Sequence, residues 1–244
     1  MNYKIYKLSI QEYIYGGILF TFAAVFLSYL FYNSLWPLIL IMPCIIFFFK
    51  ILKGYLHKRQ QQTITIEFKD MLISLSSLLS SGYSVENAIS EVRREIFALH
   101  GSCIVYKELI GIEKQLQLNV PIEVAFSDFA YRTDIEIIHT FSQILSIAKQ
   151  TGGNLKSIIL ATTSNISSQI DVRMEIASHL AGQQLELYIM AIMPPAIMIY
   201  IKLTNPGFFS PVYNNILGIV IMTICLMLYI ASVYIAYKIL SKIE

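Results

Sequence analysis

The sequence predicts an all-α, polytopic membrane protein, with about four transmembrane helices and a six-helix cytoplasmic bundle between them. Apolar stretches at roughly 14–32, 35–49, 187–201 and 213–239 have lengths that suit a bilayer. The middle of the chain instead shows helical apolar stripes and no alternation long enough for a strand. Finally, 56% hydrophobic and only 14% charged residues, with a mean hydropathy of +0.61, make the chain too apolar for an ordinary soluble domain. The expected division is an N-terminal transmembrane hairpin over 1–52, a cytoplasmic helical domain over 53–184 and a C-terminal transmembrane hairpin over 185–244.

From Ile14 to Tyr32 no residue is charged, and a helix of about 19 residues at ~1.5 Å each nearly crosses a ~30 Å hydrocarbon core. Lys4 and Lys7 precede it, but no small-residue cleavage site is evident and a second apolar run follows, so an uncleaved anchor is expected. Leu35 to Phe49 carries Pro37 and Pro43 and admits a kinked span or a re-entrant hairpin. Trp36 at one end and Lys50, Lys53, Lys58 and Arg59 at the other are interface anchors that favour a span.

Six helices are expected in the middle. Ile64 to Ser80 is nearly a stripe, through Ile66, Phe68, Met71, Leu72, Leu75, Leu78 and Leu79, and stops at Ser81-Gly82. Ser84 then caps a helix running to about His100, and a third fits about Ser102 to Leu118. Pro121 suits the first turn of a short fourth, and Thr133-Asp134-Ile135-Glu136 has capping-box spacing for a fifth. A corner at Thr151-Gly152-Gly153-Asn154 follows, with glycines to end one helix in a left-handed conformation and Asn154 to cap the sixth. That sixth helix leads into a third span over Leu187 to Ile201, which contains Pro194-Pro195, and a fourth runs from about Val212 to Ile239. The segment from Gly82 to Ser90 also echoes that from Asn119 to Ser127: each has a turn residue, a helix start, an acid in the first turn (Glu86, Glu123) and then an alanine.

Basic residues set the expected orientation. With four spans, Lys4 and Lys7, the Lys50–Arg59 cluster, and Lys238 and Lys242 share one side, while Asn33-Ser34 and Thr204 to Pro211 carry no charge. Both termini and the middle domain are therefore expected in the cytoplasm, with the chain multi-pass in the cytoplasmic (inner) membrane.

No chemistry-bearing constellation stands out. There is no phosphate-loop motif, the histidines at 57, 100, 139 and 179 are scattered, and Cys44, Cys103 and Cys225 lack zinc spacing. The carboxylate pairs Asp134/Glu136 and Asp171/Glu175 have the spacing of ordinary solvated helix faces. Between Leu52 and Gln184, 12 Lys plus Arg stand against 13 Asp plus Glu, a balance of −1 without the basic surplus nucleic acid demands. The expectation is a non-enzyme with no cofactor, no metal and no nucleic-acid partner. Gly82, Ser84, Pro121, Gly152, Gly153 and Asn154 are expected as turn and cap residues, and Arg93, Arg94, Glu95 and Arg132 as exposed charges able to contact a partner.

The order of motifs carries a resemblance. L-L-S-S-G-Y-S-V-E-N-A-I from Leu78, N-V-P-I-E-V-A-F from Asn119 and A-K-Q-T-G-G-N-L from Ala148, then a long polar helix entering a proline-containing span, resemble the type II secretion system F domain over about Glu67 to Ala196. Among such proteins the chain is most similar to the tight-adherence B and C proteins of Flp-type pilus assembly. The resemblance implies a membrane platform that couples a cytoplasmic secretion ATPase to pilin assembly and associates with itself or a second F-domain protein. Family members with two copies of the domain exist and this chain has one, which favours the tight-adherence branch. The sixth helix is the expected lever. The reading from a different class is a polytopic transporter or membrane-bound enzyme with an unrecognised site, which polar residues converging inside the membrane would favour.

Overall fold

The computed structural model describes Tyr3 and residues 10–34, 37–38, 42, 44–150, 155–213 and 215–243. They form nine helices and no strand: α1 (Ile10–Tyr32), α2 (Cys44–Ser80), α3 (Val85–His100), α4 (Ile104–Gln117), α5 (Ile122–Thr133), α6 (Glu136–Gln150), α7 (Leu155–Thr204), α8 (Ser210–Tyr213) and α9 (Ile216–Ile243). The chain divides into two compact units, Met1–Lys7 with Lys53–Met174 and Leu8–Leu52 with Glu175–Glu244.

The first unit is a helical bundle with one apolar core. The stripe of α2 (Phe68, Met71, Leu72 and Leu75) is fully buried against Ile89 and Val92 of α3, Leu109 of α4, Phe126 and Phe129 of α5 and Phe141 of α6. Ile159, Ile166 and Ile170 of α7 complete the cluster, one or two turns apart on one face. At its centre the rings meet edge to face, Phe68 with Phe141 at 5.7 Å and Phe126 with Phe141 at 5.2 Å between centroids, an arrangement that adds to simple burial.

Two corners fix the path of the chain and have the same build. Tyr83 N–H donates to the Leu78 carbonyl at 3.1 Å and Gly82 N–H to that of Leu79 at 3.1 Å, with Gly82 at φ 94°. Val120 N–H likewise donates to Gln115 at 3.0 Å and Asn119 N–H to Leu116 at 2.9 Å, with Asn119 at φ 59°. This crossed pair of bonds satisfies carbonyls that a helix end leaves open, and needs a residue tolerant of positive φ at its pivot. Ser84 and Pro121, each two residues beyond the pivot, are the N-caps of α3 and α5. The echo in the sequence is therefore an echo in backbone structure.

Three expectations are corrected. The first helix of the middle does not start near Ile64: α2 is continuous from Cys44, because nothing between Lys50 and Ile64 breaks a helix except Gly54, which alone is insufficient. Pro121 stands one position before the first turn of α5, at φ −59° and ψ 140°. The Thr133–Glu136 capping box does not form. Thr133 is the buried last residue of α5 and its hydroxyl donates back to Phe129 O at 3.0 Å, while Asp134 turns the chain at φ 57°.

In the second unit, α1, residue 216 onward of α9 and the apolar part of α7 are the three helices among those described that are long and apolar enough to cross a membrane. In the second apolar stretch, 35–49, residues 35–36, 39–41 and 43 lie outside the described residues; from Cys44 it opens α2. Pro194 and Pro195 lie inside α7 without ending it. The helices pack closely where glycine permits: a Cβ on Gly16 of α1 would meet Leu52 Cδ2 at 2.9 Å and Phe49 Cε1 at 3.2 Å, and one on Gly218 of α9 would run into the backbone of Val212. Leu30, Phe31, Met222 and Leu226 form a small buried cluster between α1 and α9.

Candidate functional site

The polar groups brought together by the first unit lie around the N-terminus of α4. Glu67 of α2 is only 5% exposed, and its carboxylate accepts the Val105 N–H at 3.1 Å. A negative charge there meets both an unpaired amide and the positive end of the α4 dipole, so burial is compensated. Cys103 is the N-cap of the same helix, its Sγ accepting the Tyr106 N–H at 3.3 Å. Burial pushes the Cys103 thiol pKa up, opposed by the Tyr106 N–H and reinforced by the Glu67 charge. A thiol so placed stays protonated and is a structural group, the reverse of an activated nucleophile.

One turn further along α4, Glu108 is 6% exposed and pairs with Arg132 of α5, which also holds Asp128 on its own helix. The Arg132 carbonyl accepts the Tyr3 N–H at 2.9 Å, which pins the segment before α1 to this unit. The Tyr3 hydroxyl is pushed up to about 12, first by burial and then by the charge and hydrogen bond of Glu108. It therefore remains a neutral donor at physiological pH. Both acids sit on the apolar stripes of their helices, Glu67 beside Ile64 and Phe68, Glu108 beside Val105 and Leu109. That signal was available in the sequence and was missed; Tyr3 offered none.

Other pairs lace the bundle. Arg93 of α3 meets Glu113 of α4 at 2.7 Å, His100 meets Asp70 at 2.8 Å, and Lys69 of α2 pairs with Asp171 of α7. Of the three arginines expected to face partners, Arg93 and Arg132 are about a quarter exposed, at 24% each, and hold internal carboxylates. Arg94 is 67% exposed and bonds only Glu91 on its own helix at 3.1 Å. Gly82 and Ser84 occupy their corner, where Ser84 Oγ accepts the Asn87 N–H at 3.4 Å. Gly152, Gly153 and Asn154 lie outside the described residues. Among the described residues no three His, Cys, Asp or Glu side chains converge as a metal site.

This geometry braces helices against one another. The family described as type II secretion system (T2SS), protein F, matches residues 71–201, from the stripe of α2 into the apolar part of α7. No curated protein and no solved structure matches the chain.

Proposed function

The chain belongs to the type II secretion system protein F family, whose members are membrane platform proteins and generally not enzymes, and from that premise we propose that it is the cytoplasmic-membrane platform of a Flp/Tad-type pilus or a type II secretion machine. In this reading a separate secretion ATPase supplies the work, the bundle receives it on the cytoplasmic side, and pilin-like subunits are assembled at the spans. The observation that carries the reading is the match over 71–201, more than half of the chain, which covers the bundle and runs on into an apolar helix. α7 supports the mechanical part: a single helix contributes Ile159, Ile166 and Ile170 to the bundle core and then continues as a candidate span. In this reading a displacement of its first half is passed on along one helix, which continues through Pro194 and Pro195. Arg94 is the proposed ATPase contact, its guanidinium being two-thirds exposed. A second F-domain protein or another copy of this chain completes the platform.

The experiment is recovery of the tagged full chain from its native cells in mild detergent, with mass spectrometry of what accompanies it. A secretion-type ATPase together with a second F-domain protein or a pilin-like subunit is the expected result. Recovery of the chain alone in several mild detergents, with surface fibres and secretion intact on deletion, rejects the platform.

A further inference from the structure

The second unit contains a cation with no acidic partner among the described residues. Lys202, in the last turn of α7, folds back over the ring of Tyr29 of α1, its Nζ 3.9 Å from the centroid, and donates to the Tyr29 carbonyl at 3.0 Å and to Asn33 Oδ1 at 2.9 Å. The Tyr213 ring stands 5.7 Å away. All of these partners are neutral. The acids of this unit are Glu12, Glu175, Glu186 and Glu244. Glu186 precedes Lys202 by 16 residues on one helix and Glu12 precedes Tyr29 by 17 on another, which at ~1.5 Å per residue puts each about 25 Å off along its helix. A lysine that only sought water would extend outward from the end of its span; this one is half-buried against aromatic faces.

Its ammonium lines a cavity of about 610 Å³ whose remaining walls are largely apolar, including Phe26, Leu30, Leu203, Pro206 and Phe209. That volume falls in the range of sites for small amphiphiles, roughly 300–1,000 Å³. Two of the three ammonium donors are used and the charge has no counter-ion among the described residues, so the fitting ligand brings an anion at one end and hydrocarbon at the other. We propose that this cavity binds an anionic phospholipid, with the headgroup phosphate on Lys202 and the adjoining chain against Phe26, Leu203 and Phe209. Free inorganic phosphate offers the same anion without the hydrocarbon, and leaves most of the wall uncovered. The site is independent of the platform function.

The test uses the purified full chain in a neutral detergent, with phosphatidylglycerol, phosphatidylcholine or inorganic phosphate added, read by lipid adducts in native mass spectrometry and by thermal unfolding. Phosphatidylglycerol is expected to bind at least about tenfold more tightly than phosphatidylcholine, about 1.4 kcal/mol, and to raise the melting temperature, while inorganic phosphate does neither. Lys202→Gln is expected to erase the preference and Lys202→Arg to retain it. Equal binding of the two lipids reduces the cavity to a general apolar surface and overturns the proposal. So does stabilisation by inorganic phosphate alone, or an undiminished preference in Lys202→Gln. Should Lys202→Gln fail to fold, the lipid comparison on the unaltered chain and the Lys202→Arg variant still decide.

Discussion

Arg132 is the residue on which the internal charges of the bundle converge. Its guanidinium holds Glu108 and Asp128 while its carbonyl holds Tyr3. Removing it leaves Glu108 buried at 6% exposure without a counter-charge, a change that costs about 3–5 kcal/mol where the pair is fully buried. Because Arg132 is 24% exposed, water screens part of this, and Arg132→Ala is expected to destabilise the bundle by about 2–3 kcal/mol. Urea unfolding of the full chain in detergent measures it, with Arg94→Ala as the surface control at under about 0.5 kcal/mol. Gly82 gives a second test at this scale. Open space surrounds the position of its missing Cβ, so at φ 94° the backbone alone decides the outcome. Gly82→Ala is expected to cost about 1–2 kcal/mol in the same unfolding experiment, and an unchanged midpoint would remove the conformational argument.

At the scale of elements, the corners at Gly82 and Asn119 and the cap at Ser84 were legible because left-handed pivots and N-caps restrict residue type, whereas Pro121 fell one position before the first turn expected for it. The extent of α2 was not, because a helix joining an apolar stretch to a polar one has no residue at the join that must break it. The capping box at Thr133 failed for a related reason. The spacing allows the bond, but burial of Thr133 turned its hydroxyl onto its own helix, a tertiary effect that a four-residue pattern does not contain. Among the apolar helices, composition foretold length and not contact. Gly218 was an unremarked residue in an apolar run, and it is the position where α9 meets the backbone of Val212. Gly218→Ala is expected to push that turn away from α9 and to lower the detergent melting temperature, whereas Gly17→Ala, with open space around it, leaves it unchanged. Equal behaviour of the two variants would refute close packing at Gly218.

In the first unit, the polar pairs among the described residues tie helices together. The chain belongs to a family of membrane platform proteins, and its buried charges brace helices. The proposed role of α7 as a lever makes a prediction that the family match alone does not. Inserting a short Gly-Ser linker after Gly182, in the middle of α7, is expected to leave membrane insertion and expression unchanged and to abolish fibre assembly or secretion. Normal assembly by the insertion variant would show that α7 is a tether and not a lever. The sequence foretold a long helix here. It also placed the proline pair inside a span, and the helix continues through both prolines.

The matching corners at Gly82 and Asn119 have one more consequence, for ancestry and engineering. Each joins two helices through the same pair of crossed bonds and hands over to an N-cap two residues later. Such corners are interchangeable parts: grafting Gly-Tyr-Ser in place of Asn119-Val120-Pro121 should yield a chain of native helicity and near-native melting temperature, whereas Ala-Ala-Ala at the same place should not. A helical hairpin copied once within an ancestral gene would leave this trace in the backbone after the rest of the two copies had diverged.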